Sequence, residues 1–203
     1  MINNRHIVIT GFLQNIATPN GMDKVYMNLL NFQDRNTTVD MKVWNSHWKE
    51  YARFIERTGP SHYDKHDIRC YCYSWGCGYG FVRLAKELRK LGIKIKYAVF
   101  SDPVYYPGIL KYRALFNLIK EPVITIPDNV ENVYYYRQNT NRPKGSVCVA
   151  EDTVKTKIYD LGILPGVIHQ SMDDSPYFRD QCLKVAQHSR SNHDRTNNHH
   201  PKN

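Results

Sequence analysis

A strand, a sharp turn and a helix follow one another without a linker at residues 67–82, and this stretch constrains the fold most strongly. An apolar, strand-like run ends at Ser74, and glycines follow at alternate positions, Gly76, Gly78 and Gly80. Beyond them, apolar residues recur at the spacing of one helix face: Phe81, Leu84, Ala85, Leu88 and Leu91. A helix that starts directly after a buried strand is typical of sheets whose faces are covered by helices.

The serine at this turn lies in the run Cys72-Tyr73-Ser74-Trp75-Gly76, which is close to the G-x-S-x-G pattern of a nucleophile elbow. The strained turn crowds the strand against the helix, so the residues two before and two after the serine must be small. Gly76 meets this requirement, and Cys72 is small although glycine is usual there. The turn directs the Ser74 hydroxyl to the helix N-terminus, where backbone N–H groups favour negative charge. We therefore predict that Ser74 is a nucleophile.

Strands and helices alternate along the rest of the chain. The pattern predicts strands at 5–10, 37–44, 67–73, 93–100 and 130–137, and a further strand or hairpin within 145–163. It predicts helices at 21–33, 46–58, 81–91 and 109–119, and a last helix opened by Ser175-Pro176. This alternation predicts an α/β fold, a three-layer α/β/α sandwich with a mostly parallel sheet. Active sites in such sheets lie at the carboxyl ends of the strands.

The 203 residues suffice for one domain, which we place at 1–188, with 104–130 as a small cap. From residue 189 the chain is basic and rich in histidine, with no apolar residues to bury, so 189–203 is predicted to be a disordered tail.

The net charge of +9 is compatible with an anionic partner, but the basic residues are spread along the chain and cluster only modestly, so nucleic-acid binding is not favoured.

No run reaches the roughly 20 apolar residues of a membrane helix. The N-terminus does not have the form of a signal peptide, so a cytoplasmic location is expected. Three of the five cysteines, Cys70, Cys72 and Cys77, lie in or beside a buried strand without zinc spacing, and we predict neither a metal nor an organic cofactor.

A serine nucleophile needs a base and an acid that orients the base. Asp102 directly follows the strand after the elbow helix. An acid after the next strand would be the alternative, but Asn139 stands there, and Asp128 precedes that strand. Asp102 is therefore the predicted acid.

His169 is the predicted base, because it lies in the loop before the last helix. His62 and His66 are less suitable, because they precede the elbow strand. The order Ser74, Asp102, His169 is the serine, acid, histidine order of α/β-hydrolases.

These motifs resemble those of small α/β-hydrolases of the lipase/esterase kind, and the likeness runs from about residue 5 to 188. Ile9-Thr10-Gly11-Phe12 resembles the His-Gly-Phe turn of lipases, although Thr10 replaces the histidine. Phe100-Ser101-Asp102-Pro103 resembles the Leu-Asp-Pro of pancreatic-type lipases. The first two strands of the larger fold are absent, as in cutinase-like members. The resemblance implies that the backbone N–H groups of Phe12 and Trp75 form an oxyanion hole.

The expected activity is hydrolysis of a small carboxylic ester through a Ser-His-Asp triad and an acyl-enzyme, without a cofactor. Three alternatives stay open: thioester hydrolysis or acyl transfer, a hydrolase fold that only binds a partner, and a binder of nucleic acid or another anionic partner. The sequence indicates neither the substrate nor the oligomeric state.

Overall fold

The computed structural model describes residues 3–12, 14, 20–62, 65–105 and 123–197. Its strands are β1 Asn4–Thr10, β2 Thr37–Val43, β3 Asp67–Tyr73, β4 Ile95–Ser101, β5 Val123–Ile126, β6 Val130–Arg137, β7 Val147–Ala150 and β8 Lys157–Ile163. The α-helices are α1 Gly21–Leu30, α2 Trp48–Thr58, α3 Val82–Lys90 and α4 Pro176–Asn197. A π-helical segment, Gly76–Phe81, precedes α3, and a 3-10 turn spans His169–Ser171.

Six strands form one sheet in the order β2-β1-β3-β4-β6-β8, and all neighbouring pairs in it are parallel. The predicted α/β class with a mostly parallel sheet is therefore confirmed. The strands predicted within 145–163 are not a hairpin. β7 pairs with β5 in a separate two-stranded sheet, whereas β8 extends the large sheet beside β6.

The helices cover both faces of the large sheet, because alternate residues of the buried strands point to opposite sides. On one face, Ile7, Ile9, Cys70 and Cys72 belong to a core with residues of α2 and α3. On the other face, Val8, Tyr71 and Tyr73 belong to a core with residues of α1 and α4. The two cores make the three layers that the sequence predicts.

The strand order reverses between β1 and β3. From β1 the chain crosses through α1 to β2 on one side, and from β3 it crosses through α3 to β4 on the other. Crossovers on opposite faces leave a crevice at the carboxyl ends of the two central strands. Ile9 of β1 is paired with Cys72 of β3, so Gly11 and Ser74 emerge at the same place.

The last helix differs from the predicted boundary, because α4 continues past residue 188 to Asn197, into the segment predicted to be disordered. No glycine or proline occurs between Pro176 and Asn197, so the segment contains no strong helix breaker that would end a helix begun by packing of its first turns. The predicted cap at 104–130 and helix at 109–119 lie largely or wholly outside the described residues. Within the described part of the chain, no helix is long and apolar enough to cross a membrane.

Candidate active site

Ser74 lies at the turn between β3 and the π-helical segment with φ of 54°, a left-handed conformation that costs a non-glycine residue about 1–2 kcal/mol. Three backbone hydrogen bonds hold it there. The Ser74 N–H donates to the Ser101 carbonyl at 3.1 Å, and the Ser74 carbonyl accepts from Cys77 N at 3.0 Å and Val104 N at 3.1 Å. Strain of this kind persists only where the surroundings over-determine it, as at many active sites.

The small residues around Ser74 allow the close approach that the turn requires. A Cβ atom at Gly76 would lie 2.5 Å from the Ile9 carbonyl oxygen, so only glycine fits there. Cys72, in place of the usual first glycine, is fully buried in the core under α3, and burial raises the pKa of its thiol. Cys72 is thus a neutral core residue, and the turn forms without glycine at this position.

The structure brings Ser74, Asp102 and His169 together, although they lie far apart in sequence. Ser74 Oγ lies 2.9 Å from His169 Nε2, and His169 Nδ1 lies 2.5 Å from Asp102 Oδ2. All three residues are buried, Asp102 completely. This chain of contacts could pass a proton from the serine to the imidazole while the carboxylate holds the ring.

The Asp102 carboxylate is held by donors that the sequence analysis did not identify. Gln138 donates from its backbone N to Oδ1 at 3.0 Å and from Nε2 to Oδ2 at 3.1 Å. A Cβ atom at Gly145 would lie 2.2 Å from Asp102 Oδ1, so only glycine fits at this position. Gln138 directly follows β6. Polar residues that follow parallel strands meet at one edge of the sheet, and this signal could have indicated Gln138 as a partner of Asp102.

His169 is fixed from both sides by residues that no sequence signal indicated. Its backbone N–H donates to Asn141 Oδ1 at 2.7 Å, and its carbonyl accepts from the Tyr73 hydroxyl at 2.7 Å. The Tyr73 ring also stacks on the imidazole with the ring centroids 5.2 Å apart. These contacts fix the position and orientation of the imidazole toward Ser74.

The two residues predicted to supply an oxyanion hole flank the serine. Phe12 follows Gly11, and a Cβ atom at Gly11 would lie 3.0 Å from the Cβ of Ser74. Trp75 is the residue after Ser74, and its ring centroid lies 5.8 Å from that of Phe12. Both backbones therefore pass close to the serine at the crevice between β1 and β3.

The described residues contain no group of three or more histidine, cysteine, aspartate or glutamate side chains that could hold a metal. Cys70, Cys72 and Cys77 are buried free thiols, and burial raises the pKa of each.

Several solved structures are similar to this chain. RedJ, a thioesterase from the prodiginine biosynthetic pathway in Streptomyces coelicolor, matches over 92% of this chain and 85% of its own, with 12% identity and a TM-score of 0.50. A structure of RedJ with a PEG molecule in its active site covers 92% and 90%, with 10% identity and a TM-score of 0.48. ClbQ from the colibactin NRPS/PKS pathway covers 93% and 98%, with 11% identity and a TM-score of 0.45.

No protein-family model and no curated protein sequence matches the chain. At 12% identity, the likeness to RedJ establishes the fold alone. The chain has an α/β-hydrolase-like fold, and this likeness does not distinguish the lipase/esterase kind from thioesterases.

Proposed function

We propose that the chain is a serine hydrolase that cleaves a small carboxylic ester or thioester through an acyl-enzyme. The observation that carries this proposal is the continuous chain of contacts from Ser74 Oγ through the His169 ring to the Asp102 carboxylate. A strained serine at the carboxyl end of a central strand, in contact with an oriented imidazole, is the arrangement that activates a hydroxyl.

In the first half-reaction, Ser74 Oγ attacks the carbonyl carbon while His169 Nε2 takes the hydroxyl proton. The tetrahedral oxyanion would be stabilised by the backbone N–H groups of Phe12 and Trp75, and one such donor contributes on the order of 10²–10³ in rate. The bond to the leaving oxygen or sulfur then breaks, and His169 returns its proton to that atom.

In the second half-reaction, water attacks the acyl-enzyme and His169 takes the water proton. The imidazole then gives the proton to Ser74 as the acid leaves. Asp102 stabilises the imidazolium that forms in both steps. No step needs a metal or an organic cofactor.

The substrate class covers both oxygen and sulfur leaving groups for two reasons. The motifs around Ser74 and Asp102 resemble those of lipases and esterases, whereas RedJ, which shares the fold, is a thioesterase. The chemistry at Ser74 is the same for both, because the acyl carbon and the oxyanion are common to them.

A fluorophosphonate probe tests the nucleophile directly, because it phosphonylates only an activated serine. We expect the folded wild-type protein to be labelled once, and peptide mapping by mass spectrometry to place the label on Ser74. Ser46→Ala, at a partly exposed serine outside the proposed site, should leave labelling unchanged. A folded wild-type protein that does not react would contradict the proposal and favour a hydrolase fold that only binds a partner.

A further inference from the structure

Four aromatic side chains form a contiguous surface beside Ser74, here called the aromatic wall: Phe12, Trp44, Trp75 and Tyr79. The Phe12 ring centroid lies 5.8 Å from those of both Trp44 and Trp75. The Trp44 ring centroid lies 5.1 Å from that of Trp75 and 5.3 Å from that of Tyr79, at interplanar angles of 79° and 72°. The three pairs that Trp44 makes have the geometry of favourable edge-to-face aromatic pairs, whereas Phe12 and Trp75 are tilted by 35°.

The wall lies at the edge of the sheet where the nucleophile lies. Trp44 directly follows β2, Phe12 lies in the loop after β1, and Trp75 follows Ser74. Phe12 is 54% exposed, and the other three rings are partly exposed. Large apolar side chains gathered at a crevice indicate a surface that contacts an apolar partner.

We propose that the aromatic wall binds the apolar body of the substrate and that this body carries an aromatic ring. The inference rests on the proposed function, because the wall matters through its position beside Ser74. Rings set edge-to-face present both faces and edges, and a further ring can pack against either in a favourable geometry. A saturated ring of the same size would gain the apolar burial but not that geometry.

Two substrate series test the proposal, one varying the acyl group and the other the leaving group. The first comprises N-acetylcysteamine thioesters with butanoyl, 3-cyclohexylpropanoyl and 3-phenylpropanoyl groups. The second comprises acetate esters of ethanol, cyclohexylmethanol and benzyl alcohol. In one of the two series, we expect kcat/KM of the compound with the phenyl ring to be about ten times that of the compound with the small alkyl group. It should also be about three times kcat/KM of the compound with the cyclohexyl ring.

Trp44→Ala should reduce this preference to about twofold or less. Phe54→Ala is the matched control, since Phe54 is also an exposed aromatic residue but stacks on Tyr51 away from the wall. Equal rates for phenyl and cyclohexyl members in both series, or an unchanged preference in Trp44→Ala, would overturn the proposal.

Binding without turnover separates this proposal from the proposed function. 3-Phenylpropanamide should quench the tryptophan fluorescence of the wild type and bind at least threefold more weakly to Trp44→Ala. A wild-type protein that binds the amide but is not labelled by fluorophosphonate would refute the hydrolase and retain the aromatic site. A labelled protein whose affinity for the amide does not depend on Trp44 would refute the aromatic site alone.

The loop that carries Phe12 is held by a separate chain of hydrogen bonds. Gly11 N donates to Gln14 Oε1 at 2.8 Å, and Gln14 Nε2 donates to Asp173 Oδ2 at 2.6 Å. Asp173 is buried and lies just after His169 along the chain. The same oxygen accepts from Met22 N at 3.3 Å.

The geometry points to Gln14 and Asp173 as positioning residues that set the Phe12 N–H for the oxyanion, given the proposed function. The donation from Gln14 Nε2 to the Asp173 carboxylate fixes the amide so that its oxygen faces the Gly11 N–H. The pair also links the Phe12 loop to the segment that carries His169. The position of the Phe12 N–H is therefore fixed relative to the His169 imidazole.

Exchanging the two groups tests this role. Gln14→Glu places two carboxylates in contact, so we expect kcat to fall at least tenfold with little change in KM. The double variant Gln14→Glu/Asp173→Asn restores a donor, because the amide introduced at position 173 can donate to the new carboxylate at position 14, and it should recover most of the lost kcat. Met22 N keeps a partner in either case, since it also donates to Asn20 Oδ1 at 2.9 Å.

Gln33→Glu, on the exposed surface, is the matched control and should leave kcat unchanged. Thermal unfolding of each variant shows that the fold is retained. Normal kcat in Gln14→Glu, or a folded double variant that recovers nothing, would overturn the positioning role. Wild-type protein without hydrolysis or fluorophosphonate labelling would instead refute the proposed function.

Discussion

Ser74→Ala is expected to lower kcat/KM for ester and thioester substrates by about 10⁴- to 10⁶-fold. The substitution removes only Oγ, which lies 2.9 Å from His169 Nε2, and with it the nucleophile and the proton that His169 would accept. The measurement is hydrolysis of acetyl esters and acetyl thioesters at equal protein concentration, together with loss of fluorophosphonate labelling. Turnover within tenfold of the wild type would contradict the assignment of Ser74.

Ser74→Gly is the control for folding. It also lacks the nucleophile and should be equally inactive, but it removes the backbone strain at position 74. Ser74 has φ of 54°, and glycine adopts that conformation without a steric cost. We expect Ser74→Gly to be more stable than Ser74→Ala by about 1 kcal/mol in urea unfolding. Inactive variants that differ in this direction would show that activity was lost through chemistry and that both proteins fold.

Asp102→Asn is expected to lower kcat by about 10⁴-fold, because neither orientation of the new amide suits its partners. Oδ2 contacts His169 Nδ1 and Gln138 Nε2, and Oδ1 accepts from the Gln138 backbone N. If the amide nitrogen replaces Oδ2, it faces Nδ1 and favours the imidazole tautomer whose Nε2 already carries a proton. If it replaces Oδ1, it opposes the Gln138 N–H. The measurement is kcat across pH for both proteins.

Asp128→Asn is the control for Asp102→Asn. Asp128 was the rival aspartate in the sequence, and the structure places it in surface ion pairs with Arg89 and Lys155. Its substitution should leave kcat within about twofold of the wild type. Near-normal kcat in Asp102→Asn would mean that another group orients His169.

The sequence around Ser74 carried enough local information to predict the turn and its surroundings. A buried strand, a small residue at Gly76 and an amphipathic helix act within a few residues of one another, so they can be recognised without tertiary structure. The predicted strand at 67–73 and helix start at Ser175-Pro176 agree with β3 and α4 for the same reason. Strand period, proline geometry and helix capping are local effects.

Local patterns were less informative where pairing partners decide the structure. Residues 145–163 were predicted to form one strand or a hairpin, but β7 and β8 belong to different sheets. Which sheet each strand joins depends on its pairing with β5 or β6. The polar segment after residue 188 offered nothing to bury, yet the helix that starts at Pro176 extends through it to Asn197.

The sequence by itself determined the alternation of strands and helices, the serine turn and the order of Ser74, Asp102 and His169 along the chain. Only the tertiary structure decided which atoms meet, including the two hydrogen bonds from Gln138 to Asp102 and the stacking of Tyr73 on His169. The physical reason is that parallel strands are joined by long crossovers, so residues at their carboxyl ends become neighbours only when the strand order is fixed. That order depends on burial across the whole sheet, which no short stretch of sequence encodes.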